Sequence, residues 1–138
     1  MNTANVTAKA VTYYESAKEA LKQNDLISGI AQLTQALALD ESLHEARLLR
    51  SQVLLTIGDV TSADEDCRWL TEHIGEREDV LMLAIKIAMA KGDKDAAIYI
   101  YNKVLEKNPA LLAEVNGEFV AEGEEHRAAK NRMFIQKW

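Results

Sequence analysis

Three histidines, one cysteine and a short acidic run are the residues of this 138-residue chain that could do chemistry. By repeat geometry His44 and His73 would lie on one edge of the second predicted unit, near Asp40 and Glu41, and imidazoles beside carboxylates are the usual makings of a metal site. Neither His-x-x-x-His spacing nor any paired cysteine spacing accompanies them, so they read as surface histidines beside acids, as does His126. Cys67 stands alone, which excludes an intramolecular disulfide and fits a reducing compartment. Its helical phase sets it on an apolar stripe, where a thiol serves as a small hydrophobe rather than a nucleophile. Gly117 and Gly123 flank a helix end, no Gly-Lys-Ser or Gly-Lys-Thr occurs, and Glu124 with Glu125 forms a solvated run. The sequence therefore predicts no catalytic residue, no metal and no cofactor, hence no enzyme.

The elements that would have to position any site are helices. The chain is 48% apolar, 28% charged and 6% aromatic, with one proline and six glycines, a composition that suits a single soluble helical domain and not a disordered one. Sixteen Lys and Arg against twenty-two Asp and Glu give a net charge of −6, which disfavours nucleic acid and acidic membrane surfaces as partners. No apolar run approaches the roughly 18 residues that span a bilayer. The opening MNTANVTAKAV has neither the basic segment nor the apolar core of a signal peptide, and a cytoplasmic location is expected.

Punctuation repeats along the chain. Lys22-Gln23-Asn24-Asp25, Ile57-Gly58-Asp59 and Lys91-Gly92-Asp93 set Asn24, Gly58 and Gly92 thirty-four residues apart, twice in succession. Asn or Gly can take the left-handed conformation that ends a helix, and the following Asp can accept from the free amides that begin the next. Gly29, Ala63 and Ala97 follow in one phase, then Leu33, Cys67 and Tyr101, then Ala36, Leu70 and Val104, a small residue and larger ones on one buried stripe. A second set of joints falls at Asp40-Glu41-Ser42, His73-Ile74-Gly75 and Lys107-Asn108-Pro109. Ser42 with Glu45 has capping-box spacing, and Pro109 suits a first helical turn. Helices are predicted over 8–23, 26–39, 43–57, 60–73, 78–91, 94–107, 109–121 and 124–137, with residues 1–9 a flexible lead.

In period and phase the chain resembles the tetratricopeptide repeat family, with units at 10–43, 44–77 and 78–111 and with 112–138 as C-terminal capping helices. The second helices carry the likeness best, through Gly29, Ala63 and Ala97, then Leu33, Cys67 and Tyr101, with Pro109 as the one terminal proline. First helices match less closely: Tyr13, Ser16, Ala17 and Ala20, then Arg47, Arg50, Ser51 and Leu54, then Leu81, Ala84, Ile85 and Ala88. The resemblance implies an all-α, right-handed superhelical solenoid of antiparallel helix pairs whose first helices line a concave groove. By register, the groove residues it implies are Tyr14, Lys18 and Leu21, then Leu48, Gln52 and Leu55, then Met82, Lys86 and Met89. Their spacing alone establishes a common helical face.

Family members that clamp a terminal carboxylate use lysine, asparagine and arginine donors. Here the corresponding places hold Tyr14 and Lys18, then Leu49, then Asp79 and Leu83, which lack those donors and add a repelling charge. What remains is a strip of aliphatic, methionine and tyrosine side chains interrupted by Lys18, Gln52 and Lys86, suited to an apolar or amphipathic segment of a partner protein. Packing of the same residues against adjacent helices is the alternative. The expected function is a non-enzymatic protein-protein interaction module, an adaptor or chaperone-like holder. The alternative is a self-assembling scaffold, a homodimer whose groove is filled by its own C-terminal helix or a second copy. In the tail, Glu114, Glu118, Glu122, Glu124 and Glu125 precede Arg127, Lys130, Arg132 and Lys137, a dipole-matched order for a last helix with Met133, Phe134, Ile135 and Trp138 as its apolar edge.

Overall fold

The structure, a computed structural model, describes residues 3–111. The expected capping helices over 112–138, with His126, Gly117 and Gly123, lie outside the described residues. Those residues form an all-α chain of six helices: α1 (Thr3–Lys22), α2 (Leu26–Leu39), α3 (His44–Thr56), α4 (Val60–Ile74), α5 (Glu78–Ala90) and α6 (Lys94–Lys107). Residues 109–111 are helical again after Asn108. From α2 to α6 the helices fall within a residue or two of the predicted ranges. None of the described helices is long and apolar enough to cross a membrane.

One boundary differs. The first helix, expected from residue 8, begins at Thr3, so residues 3–9 of the expected lead are helical and residues 1–2 lie outside the described residues. No glycine or proline precedes Asn24, Ala8 and Ala10 are strong helix formers, and Thr12 returns its hydroxyl to the Ala8 carbonyl at 3.0 Å, so nothing interrupts propagation toward the start.

The three short turns are built alike. Asn24, Gly58 and Gly92 have φ of 62°, 89° and 77°, the left-handed region that a helix C-cap demands. Each closes on the preceding helix with the same pair of backbone bonds: Asn24 N–H to the Leu21 carbonyl with Asp25 N–H to Ala20, Gly58 to Leu55 with Asp59 to Leu54, and Gly92 to Met89 with Asp93 to Ala88, all between 2.9 and 3.1 Å. Asp25, Asp59 and Asp93 then accept at Oδ1 from the amides of Ser28, Ser62 and Ala96 at 3.2, 3.2 and 3.1 Å, capping the next helix. The Asp25 carboxyl is held below the ordinary carboxylate range by its hydrogen bonds from Ser28, side chain first and backbone second. A lowered folded value means that the cap's contribution is present above the unfolded carboxyl's pKa and is lost as pH falls through the folded one. An NMR titration of Asp25 is expected to show a midpoint below that of free aspartate; an unshifted midpoint would contradict the cap.

Ser42 departs from its predicted role. Both its amide and its hydroxyl donate to Asp40 Oδ1, at 3.1 and 2.5 Å, and Leu43 is the N-cap residue of α3, with no side-chain cap. An ionised acceptor two residues away takes the donor that the capping box would have used.

The chain divides after Gly75 into two compact units. In the first, α1 packs on α2, α2 on α3, and α3 on α4. Ala17, Leu33, Ala36, Leu37 and Ala46 form a core joined by Tyr14, Leu43 and Leu49. Gly29 lets α2 approach α1 so closely that a methyl there would run into the Leu21 side chain. On α3, the fully buried Ser51 donates to the Ala63 carbonyl of α4 at 2.7 Å, and Ala63 is itself fully buried. Ala63→Leu is therefore expected to cost about 1–3 kcal/mol through overpacking, measured by urea unfolding. An unchanged midpoint would refute this close approach.

In the second unit α5 packs on α6. Leu81, Ile85, Ala88, Ala97 and Val104 make its core, with Met82, Ile100, Tyr101 and Leu111 against it. Ile85, a bulky residue at the position that is small in the other two first helices, is fully buried.

Candidate functional site

The predicted strip begins on α1. Tyr14, Lys18 and Leu21 are all half-buried there. The Lys18 ammonium lies 4.8 Å from the centre of the Tyr14 ring and 3.1 Å from Glu15, an arrangement that leaves the lysine stem along the tyrosine and its charge toward water. On α3, Gln52 and Leu55 are half-buried, but Leu48 is only 9% exposed, so it serves the core more than the surface. A helical face defined by spacing is thus covered at one position and open at its neighbours. On α5, Met82 lies partly against the core, Lys86 is half-buried and Met89 is 38% exposed. Desolvation holds the Lys86 ammonium below the ordinary lysine range.

A different group of residues, which the spacing did not point to, holds α3 to α4. Asp66 on α4 is buried, 3% exposed, and receives a fork of hydrogen bonds from Arg50: Nε to Oδ2 at 2.8 Å and Nη2 to Oδ1 at 2.6 Å. Arg47, one turn earlier on α3, adds Nη1 to Oδ1 at 3.4 Å and reaches the Glu41 carbonyl with Nη2 at 3.2 Å. Hydrogen bonding to Asp66 raises the Arg50 pKa, whereas burial lowers that of Arg47. The Arg47 Nε is buried without a hydrogen-bond partner, and its guanidinium lies 4.0 Å from the centre of the Trp69 ring. Stacking on the indole offsets part of that lost hydration. Trp69 is in turn stacked on His73, with ring centres 3.9 Å apart and planes 10° from parallel. His73 Nδ1 lies 2.8 Å from the Trp69 carbonyl; because a carbonyl only accepts, Nδ1 carries the proton. The sequence signal was the pair Arg47 and Arg50, charged residues where a first helix of the repeat type needs bulky apolar ones.

This cluster is built for holding two helices together, since both carboxylate oxygens of Asp66 are occupied from within the chain. The two described histidines are also engaged: His73 as above, and His44 with Glu45 at 3.5 Å. Among the described residues no three His, Cys, Asp or Glu side chains gather where they could hold a metal ion. Cys67 is buried and outside any disulfide. Comparison with known protein families found none that matches this chain, and comparison with curated proteins found no match either.

Proposed function

We propose that the chain is a non-enzymatic protein-interaction module, an adaptor or chaperone-like holder, that binds an apolar or amphipathic segment of a partner protein. On this reading its helix pairs run antiparallel and stack as a right-handed, tetratricopeptide-like solenoid whose first helices, α1, α3 and α5, present the strip. One observation carries the proposal: after the helices have packed, Tyr14, Lys18, Leu21, Gln52, Leu55, Met82 and Lys86 keep part of their surface, and Met89 more than a third of its own. Apolar side chains left accessible in one phase of successive helices offer contact area, and the flexible methionines tolerate variation in what lies against them. Lys18 and Lys86 supply charge at equivalent places, suited to a carboxylate or to backbone carbonyls of the bound segment.

The test begins with affinity capture from native lysate and identification of the bound protein by mass spectrometry. The partner's recombinant segment is then titrated calorimetrically against the chain. Saturable binding that weakens with substitutions on the strip supports the reading; binding indifferent to all of them overturns it.

A further inference from the structure

A cavity of about 250 Å³ opens on the first unit where α2, α3 and α4 come together, and none of the strip residues lines it. Pockets for drug-sized ligands hold roughly 300–1,000 Å³, so this one suits a smaller guest. Half-buried Ile30 of α2 and buried Leu54 of α3 supply its apolar surface. Thr34 and Ser62 add hydroxyls, and the fork between Arg50 and Asp66 belongs to its wall together with Glu65, the residue before that aspartate on α4. The cavity therefore combines an apolar patch with charges of both signs.

The state of each polar group narrows what that guest can be. Asp66 is spent, because both of its oxygens already accept from the arginines. Arg50 is spent only on the side that faces Asp66, through Nε and Nη2. Its Nη1 has a single contact within the chain, the Thr34 hydroxyl at 3.5 Å, the outer limit of a hydrogen bond. That hydroxyl gives its own proton to the Ile30 carbonyl at 2.8 Å, so toward Nη1 it can only accept. A guanidinium nitrogen with two hydrogens and one marginal acceptor is open to a stronger one, and a carboxylate fits it best. Glu65 is exposed and its charge reaches Arg50, yet no hydrogen bond or ion pair joins the two. A simple anion in the cavity would meet repulsion from Glu65, and a simple cation would meet it from Arg50. A molecule that carries both charges on a short frame satisfies both walls.

We propose that this cavity binds a small zwitterion, a free α-amino acid with an aliphatic side chain, with its carboxylate on Arg50 Nη1, its ammonium toward Glu65 and its side chain against Ile30 and Leu54. The proposal does not use the strip on α1, α3 and α5 and stands or falls apart from it. The test is an NMR titration of the full chain with leucine. Saturable shifts are expected at the Arg50 Nε–H and at the amides of Thr34 and Glu65, with a Kd of about 1 mM or below. Isocaproate, which lacks the amine, and isoamylamine, which lacks the carboxylate, are each expected to bind about tenfold or more weakly. Glu65→Gln changes an exposed residue; it should weaken leucine by about tenfold and leave isocaproate as it was or tighter, a split that loss of fold would not produce. No saturable shift at about 10 mM leucine, or shifts only at residues away from the cavity, overturns the proposal. Isocaproate or isoamylamine binding as well as leucine overturns it too, as does a Glu65→Gln chain with undiminished affinity for leucine.

Discussion

Asp66→Ala is expected to destabilise the first unit by about 3–5 kcal/mol, the largest loss of any single substitution proposed for this chain. The carboxylate side chain is 4% exposed, and those of Arg47 and Arg50 are 12% and 20% exposed. Removing the acid leaves two guanidiniums close together with their shared counter-charge gone. They are too buried to regain full hydration, and this residual charge, more than the lost hydrogen bonds, sets the cost. The argument has a second arm. Replacing all three residues together, Arg47→Met, Arg50→Met and Asp66→Leu, should recover most of the loss, because a buried ion cluster exchanged for apolar side chains of similar volume is commonly neutral or better. Urea unfolding monitored by circular dichroism measures both. A loss below about 1 kcal/mol for Asp66→Ala would put the cluster in the class of surface pairs.

The second large effect is functional. Met82→Glu with Met89→Glu is expected to weaken partner capture by about a hundredfold or more, since two apolar side chains worth about 1.5–3 kcal/mol each on burial would be exchanged for charges that must be desolvated. Helicity should be retained. Met89 is 38% exposed and tolerates the change, whereas Met82 touches the second core, so Met89→Glu alone is the control for folding. Capture that persists with helicity intact would separate the methionines from the binding surface. Collapse of the helices in both variants would make them core residues.

The parts of the fold that could be read from sequence are those with a local cause. A left-handed residue followed by an acid is a complete instruction for ending one helix and starting another, and Asn24-Asp25, Gly58-Asp59 and Gly92-Asp93 each carry it without help from distant residues. The small residues Gly29, Ala63 and Ala97 are similarly legible, because the phase that makes them adjacent to the turn makes them adjacent to the preceding helix. The Arg47, Asp66 and Arg50 cluster was not, since its members lie on two helices and only tertiary packing decides that the acid meets the bases. Leu48 illustrates the same limit within one helix. Spacing aligns it with Gln52 and Leu55, but which of three aligned residues a neighbour covers depends on the angle at which that neighbour lies. The helical start at Thr3 escaped because weak local preferences summed over an uninterrupted stretch outweigh the absence of a recognisable cap.

The stack of Arg47, Trp69 and His73 has a practical consequence. An indole in contact with a guanidinium and an imidazole has an emission set by those two groups, and separation of α3 from α4 would pass it into water and redden its spectrum. Trp69 is thus an optical gauge, placed by the protein itself, of whether Arg47 is still engaged.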